Sequence, residues 1–249
     1  MQTPNVRIER EGAVLCVTFD RPDKKNALNG AMYLAATQAL READSDPSIG
    51  AVVFAGSGGV FTAGNDIADF LDAGAEPGEF PAFTFIKTLA ASERPIVAAI
   101  DSVAIGIGAT MLLHCDLVYV APDATFRLPF VDLGVVPEAA SSLLLPRRIG
   151  MAKAAEFMLL GEPFGAGEAV RLGLANAIVP AGELRGFAIE RAARLGAKPR
   201  AALAATRRLL RGDAKEIQAR IEEEARLFSA ALQSEEARAA FAAFLGKGR

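Results

Sequence analysis

Phe61-Thr62-Ala63-Gly64-Asn65-Asp66 and Ala104-Ile105-Gly106-Ile107-Gly108-Ala109 are the two stretches on which the reading of this chain turns. Each follows an apolar run with strand character, residues 51–55 and 96–100, and each precedes an apolar pattern with helical spacing. A glycine loop between strand and helix offers backbone N–H groups that the helix cannot satisfy itself. Two such loops aimed at one point would hold an oxyanion, the central requirement for chemistry at a thioester carbonyl. The pair points to acyl-transfer or enolate chemistry.

Outward from these loops, strands and helices alternate. Residues 5–9 and 14–19 alternate like paired strands, and Asn29 reads as the N-cap of a helix over 30–43. Helices are expected at 67–71, 80–91 and 107–115, with a further strand at 117–120. This order predicts an α/β fold of stacked β–β–α units with mostly parallel pairing. Glu76-Pro77-Gly78 marks a polar loop over 72–80, beside the first glycine segment, where it would line an acyl pocket.

From about residue 180 the texture turns helical, with apolar spacing at Leu184, Phe187 and Ile189 and at Ile217, Ile221, Ala225 and Phe228. Phe228, Leu232, Phe241 and Phe244 are more aromatic than one small layer needs, which suggests a subunit interface. The expected division is a core with the site over 1–190 and a C-terminal helical oligomerisation region over 191–249.

Composition narrows the function. Of 249 residues 51% are hydrophobic, enough for a sizeable core, and the formal net charge of −3 gives no reason to expect nucleic acid or an anionic membrane. Cys16 and Cys115 lack CxxC spacing, and the single histidine, His114, cannot build a multi-imidazole zinc site. Polar residues from Asp101 to Asp116 interrupt the apolar stretch 96–121, so it reads as buried core, not as a membrane span. A soluble, cytoplasmic protein without metal or redox cofactor is expected.

Five segments in order resemble the crotonase superfamily, the enoyl-CoA hydratase/isomerase family: residues 21–29 (RPDKKNALN), 52–66, 94–100 through Cys115-Asp116, 161–164 and 169–176. That resemblance implies a crotonase (ClpP-like) α/β spiral of β–β–α units with a C-terminal helical layer, assembled as trimers or hexamers. It places the oxyanion donors on the backbone N–H groups of Asn65 and Ile107. It also implies an acyl-CoA substrate held near Lys24, Lys25, Ala27, Ala63 and Asp66, with Phe244 and Lys247 reaching a neighbouring subunit's ligand.

The two glutamates of the family's hydratases map onto Thr110 and Phe130, and neither residue can act as a general acid or base near neutral pH. Residues 129–138 resemble instead the segment of Δ3-Δ2-enoyl-CoA isomerases, whose catalytic glutamate stands eight residues beyond that phenylalanine, at Glu138 here. Ile107 matches the bulky aliphatic residue those isomerases carry at the second oxyanion position. Glu138 is expected at a helix start among apolar neighbours, where desolvation raises its pKa and the helix dipole lowers it.

The implied activity is isomerisation of 3-enoyl-CoA to trans-2-enoyl-CoA in fatty-acid degradation. A hydratase using Glu138 with or without Asp132, and a non-catalytic acyl-CoA binder, remain alternatives. Thr110 is a candidate for a hydrogen bond in the pocket. His114 is expected to be a core residue pointing away from the site. A hydrolase built on Ser141 or Ser142 lacks the G-x-S-x-G elbow.

Overall fold

The computed structural model describes residues 2–3, 5–68 and 80–246, with the backbone path alone given for 2–3 and 244–246. The expected helix at 67–71 and the loop at 72–80 fall largely outside the described residues.

A seven-stranded sheet forms the spine. It begins with an antiparallel set, β1 (Gln2–Thr3), β2 (Val6–Glu11) and β3 (Val14–Phe19). It continues in parallel through β4 (Ala51–Gly56), β5 (Ile96–Ile100), β7 (Leu117–Val120) and β10 (Ala177–Ile178), in the order β1-β2-β3-β4-β5-β7-β10. A smaller sheet pairs β6 (Val103–Ile105) with β8 (Thr125–Arg127) in parallel, and β8 with β9 (Phe164–Gly165) in antiparallel. Each turn of the spiral thus gives one strand to the large sheet, one extended piece to the small one, and then a helix. In the first turn that piece is Thr62, bridged in parallel to Ala104.

The central strands are apolar on both faces because both are covered. Val52, Phe54, Ile96, Ala98 and Ile100 point into the main core, beside α1 (Gly30–Ser45) and α2 (Pro81–Ala91). Val53, Ala55, Val97 and Ala99 point the opposite way, against Leu184, Ala188 and Ala192 of the later helix Ala181–Gly196. Asn29 caps α1 as its sequence suggests, its side-chain oxygen accepting the Met32 N–H at 3.0 Å.

The helix expected over 107–115 divides. Residues Ile107–Thr110 form α3, and Met111–His114 tighten into a 3₁₀ turn. The cause is the nearby return to the sheet: the Asp116 N–H already bonds Ile96 O, so the chain must shorten its last turn to start β7. After α4 (Ser141–Ile149), α5 (Met151–Leu160) and α6 (Ala166–Arg171), the C-terminal quarter is helical: α7 (Ala181–Gly196), α8 (Arg200–Arg211), α9 (Ala214–Leu232) and α10 (Glu235–Gly246).

The division at residue 190 falls inside α7, which packs as one piece on β4 and β5. A Cβ on Gly50 would stand 2.8 Å from Gly196 Cα, so the end of α7 touches the backbone ahead of β4. The C-terminal aromatics also differ from expectation. Phe228 and Phe241 are buried within the chain itself, Phe228 edge-on to Phe83 with ring centroids 6.0 Å apart, because α9 folds back onto α2. Exposed instead are Leu209 and Leu210 of α8, at 81% and 82%. No helix among the described residues is long and apolar enough to cross a membrane.

Candidate active site

Backbone pairing lays the segment 25–28 along the first glycine loop. The Ala63 N–H donates to Lys25 O at 2.9 Å, Leu28 N–H to Gly64 O at 2.8 Å, and Asp66 N–H to Leu28 O at 2.9 Å. Asn26, fully buried at φ 54°, locks this arrangement. Its amide nitrogen donates to Ser57 O and Val60 O, and its side-chain oxygen accepts the Arg21 N–H. Asn and Asp tolerate such a left-handed backbone better than other residues with a Cβ.

The two glycine loops then stack on each other. Gly64, at φ 91°, backs onto the second loop so closely that a Cβ would stand 2.7 Å from Ile105 O, and one on Gly108 would meet Thr62 Cγ2 at 2.6 Å. Glycine is required at both positions for close backbone approach. Gly106, at φ 55° and ψ −119°, turns the chain into α3. The N–H groups of Asn65 and Ile107 find no acceptor among the described residues. Two loops in contact thus each present an unused donor, while Asn65 is itself held by a hydrogen bond from the Tyr33 hydroxyl to its side-chain oxygen.

One turn beyond Ile107, the Thr110 hydroxyl lies 2.5 Å from Glu138 Oε1. Glu138 is 3% exposed, and its Oε2 has no hydrogen-bond partner among the described residues. It does not start a helix. Two alanines at positive φ, Ala139 (60°) and Ala140 (53°), separate it from α4. With that helix start displaced, burial wins the contest over its pKa. Desolvation pushes Glu138 up to about 8, the Thr110 hydrogen bond opposes the rise, and the negative charge of Glu224 adds to it.

A sequence profile of the enoyl-CoA hydratase/isomerase family matches residues 9–249. The chain belongs to that family, the crotonase superfamily. Its chemistry is accordingly the processing of acyl-CoA thioesters. Enoyl-CoA delta isomerase 2 of Rattus norvegicus is 36% identical over 185 residues, a stretch that spans 72% of this chain and 47% of the rat protein's own length. A protein of Rhodobacter capsulatus named "Probable enoyl-CoA hydratase" is 34% identical and aligns with 99% of this chain and 97% of its own. Among solved structures, an enoyl-CoA hydratase/isomerase from Pseudoalteromonas atlantica superposes with a TM-score of 0.93 at 38% identity, covering 98% of this chain and 97% of its own.

The other predicted site residues of this crotonase-superfamily chain are distributed as follows. Lys24 and Lys25 are exposed on the turn that carries Ala27. Ala27 O accepts from Arg21, and the Asp66 carboxylate is committed to Arg21 at 2.6 Å and to the Ala68 N–H, as its own N–H is to Leu28 O. Phe244 belongs to α10, and Lys247 lies outside the described residues. Asp132 is half exposed and paired with Arg127 at 3.0 Å, apart from the buried Glu138. Phe130 is buried.

His114 departs from expectation. Instead of pointing away, it approaches Ala139 O through Nε2 at 2.8 Å, against the turn that carries Glu138. Nε2 is so engaged, Ser142 is bonded to Glu224, and the buried Ser141 hydroxyl meets no partner, so among the described residues no serine hydroxyl is hydrogen-bonded to His114. Glu224 itself escaped the sequence reading because it ends the run Glu222-Glu223-Glu224, which looks like a solvated face. Its spacing was the available signal, three residues after Ile221 and four before Phe228 on the buried face of α9.

Proposed function

We propose that this chain isomerises 3-enoyl-CoA to trans-2-enoyl-CoA, with Glu138 as a single proton shuttle and the N–H groups of Asn65 and Ile107 as the oxyanion hole. The observation that carries this reading is the carboxyl of Glu138. It is buried, held by Thr110 on the helix that Ile107 opens, and leaves one oxygen without a partner among the described residues. Ionised Glu138 takes a proton from C2, and the electrons of that C–H bond move into a dienolate whose negative charge rests on the thioester oxygen. Protonated Glu138 then returns the proton to C4, leaving the double bond between C2 and C3. A base with a pKa near working pH serves both steps. Backbone donors stabilise the dienolate oxygen, each supplying about 3–4 kcal/mol of barrier lowering.

Hydration needs a second carboxylate to hold water, and the candidates are engaged elsewhere. Asp132 pairs with Arg127, and Glu224 accepts from Ala140 N–H, Ser142 N–H and the Ser142 hydroxyl. Coenzyme A would lie along backbone 25–27 and 63–66, with Lys24 and Lys25 near its phosphates. Assembly into trimers or hexamers belongs to the same reading, with the exposed Leu209 and Leu210 as the apolar face to be covered.

Turnover of a 3-enoyl-CoA and a trans-2-enoyl-CoA, measured side by side, tests the proposal. The expected result is isomerisation without hydration, reduced roughly 10²–10⁴-fold in Glu138→Gln. Appreciable hydration, or a variant as active as the wild type, overturns it.

A further inference from the structure

The turn that carries Glu138 is held from two sides by groups with no part in the proton transfer. Its two alanines occupy the left-handed region, a conformation that persists only where the surroundings over-determine it. On one side His114 faces Ala139 O. Burial pushes the imidazole down to about 4, the bond to Ala139 opposes this, and the nearby charges of Arg211 and Arg148 lower it further. The ring is neutral at working pH, and since a carbonyl oxygen can only accept, the tautomer this contact requires has its proton on Nε2, which donates to Ala139 O.

On the other side stands Glu224, 4% exposed and 84 residues beyond Ala140 in the chain. Its Oε2 accepts the Ala140 N–H at 2.6 Å, and its Oε1 accepts the Ser142 N–H at 3.0 Å and the Ser142 hydroxyl at 2.6 Å. Arg220 in turn donates to the Ser142 oxygen. Glu224 therefore caps the N-terminus of α4 from another helix, meeting donors that α4 leaves unsatisfied. A neutral local cap would serve stability alone without a second buried carboxylate near Glu138, where like charges disfavour each other's ionised form.

We propose that Glu224 and His114 are positioning residues that clamp the 139–140 turn from opposite sides and so set where the Glu138 carboxyl stands. This rests on Glu138 being the base of the proposed isomerisation. The clamp ties proton transfer to the seating of α9.

Glu224→Gln replaces one acceptor oxygen with an NH₂ group that cannot accept from the turn, and it removes the charge. The expected outcome is a folded enzyme whose kcat for a 3-enoyl-CoA falls roughly ten-fold or more while KM hardly moves. The titration of the Glu138 carboxyl, followed by ¹³C NMR, should shift to lower pH because a negative neighbour is gone. The groups facing that carboxyl and its turn are Thr110 on α3, His114 on the 3₁₀ turn, and Glu224 with Arg220 on α9.

Glu216→Gln, on the same helix as Glu224 but at an exposed ion pair with Arg147 of α4, should change neither reading. His114→Gln, which keeps an N–H donor, should retain more kcat than His114→Leu. A folded Glu224→Gln enzyme with wild-type kcat and an unmoved Glu138 titration overturns the clamp, as does lost stability without a titration shift. Were Glu224→Gln not to fold, a His114→Leu enzyme with wild-type kcat would overturn it equally. Should Glu138→Gln prove fully active, the isomerase reading fails, yet a Glu138 titration that moves in His114→Leu, which removes a contact to the turn but no charge in that pH range, still reads the clamp on its own.

Discussion

Glu138 and His114 are pushed in opposite directions by the same burial, and each leaves its own window in the stability of the protein. Unfolded, Glu138 ionises at its ordinary 4.5; folded, at about 8. Its contribution is complete below the first value and is lost as pH rises through the second. Glu138→Gln should therefore gain stability over the wild type progressively between these values, measured by urea denaturation at a series of pH values. His114 behaves in reverse. Its folded pKa of about 4 lies below its ordinary 6.5, so the wild type loses stability as pH falls from 6.5 toward 4, and His114→Gln should flatten that loss.

Thr110 makes a further prediction at this scale. Its hydrogen bond lowers the Glu138 pKa, so Thr110→Val should move the acid limb of kcat/KM to higher pH in a pH–rate profile. Glu138 stands out in the sequence only through the resemblance of residues 129–138 to the isomerase segment. Its environment was not legible there, because Thr110, His114 and Glu224 come from three elements that only the tertiary fold brings together.

Strands β4, β5 and β7 were readable nearly to the residue, since each is a continuous apolar run covered on both faces. The two glycine loops were equally plain, because the close stacking of Gly64 on Ile105 O leaves no alternative to glycine. Gly64→Ala should cost about 1–3 kcal/mol of folding free energy, seen as a lowered Tm, and lower turnover further by displacing the Asn65 N–H. The helix after Ile107 was overdrawn because apolar periodicity does not record how soon a chain must rejoin its sheet. Nor could the left-handed pair Ala139-Ala140 be foreseen, for alanine there contradicts local preference and is held by contacts distant in sequence.

On the scale of the molecule, the C-terminal helices were foreseen as a layer but their inward half was misjudged. Phe228 and Phe241 complete this chain's own core, and α8 carries the two most exposed large apolar side chains among the described residues, Leu209 and Leu210. If that face is the proposed subunit contact, Leu209→Glu combined with Leu210→Glu should convert an oligomer to monomers in sedimentation velocity. Unchanged sedimentation would place the contact elsewhere.

The trans-cap from Glu224 also bears on the order in which a growing chain becomes competent. Synthesis completes the main sheet and both glycine loops before α9 leaves the ribosome, and 84 residues separate Ala140 from the carboxylate that caps it. A nascent chain can therefore present its backbone donors while the turn behind Glu138 still lacks half its support. Maturation of the site follows the arrival of the last quarter of the polypeptide.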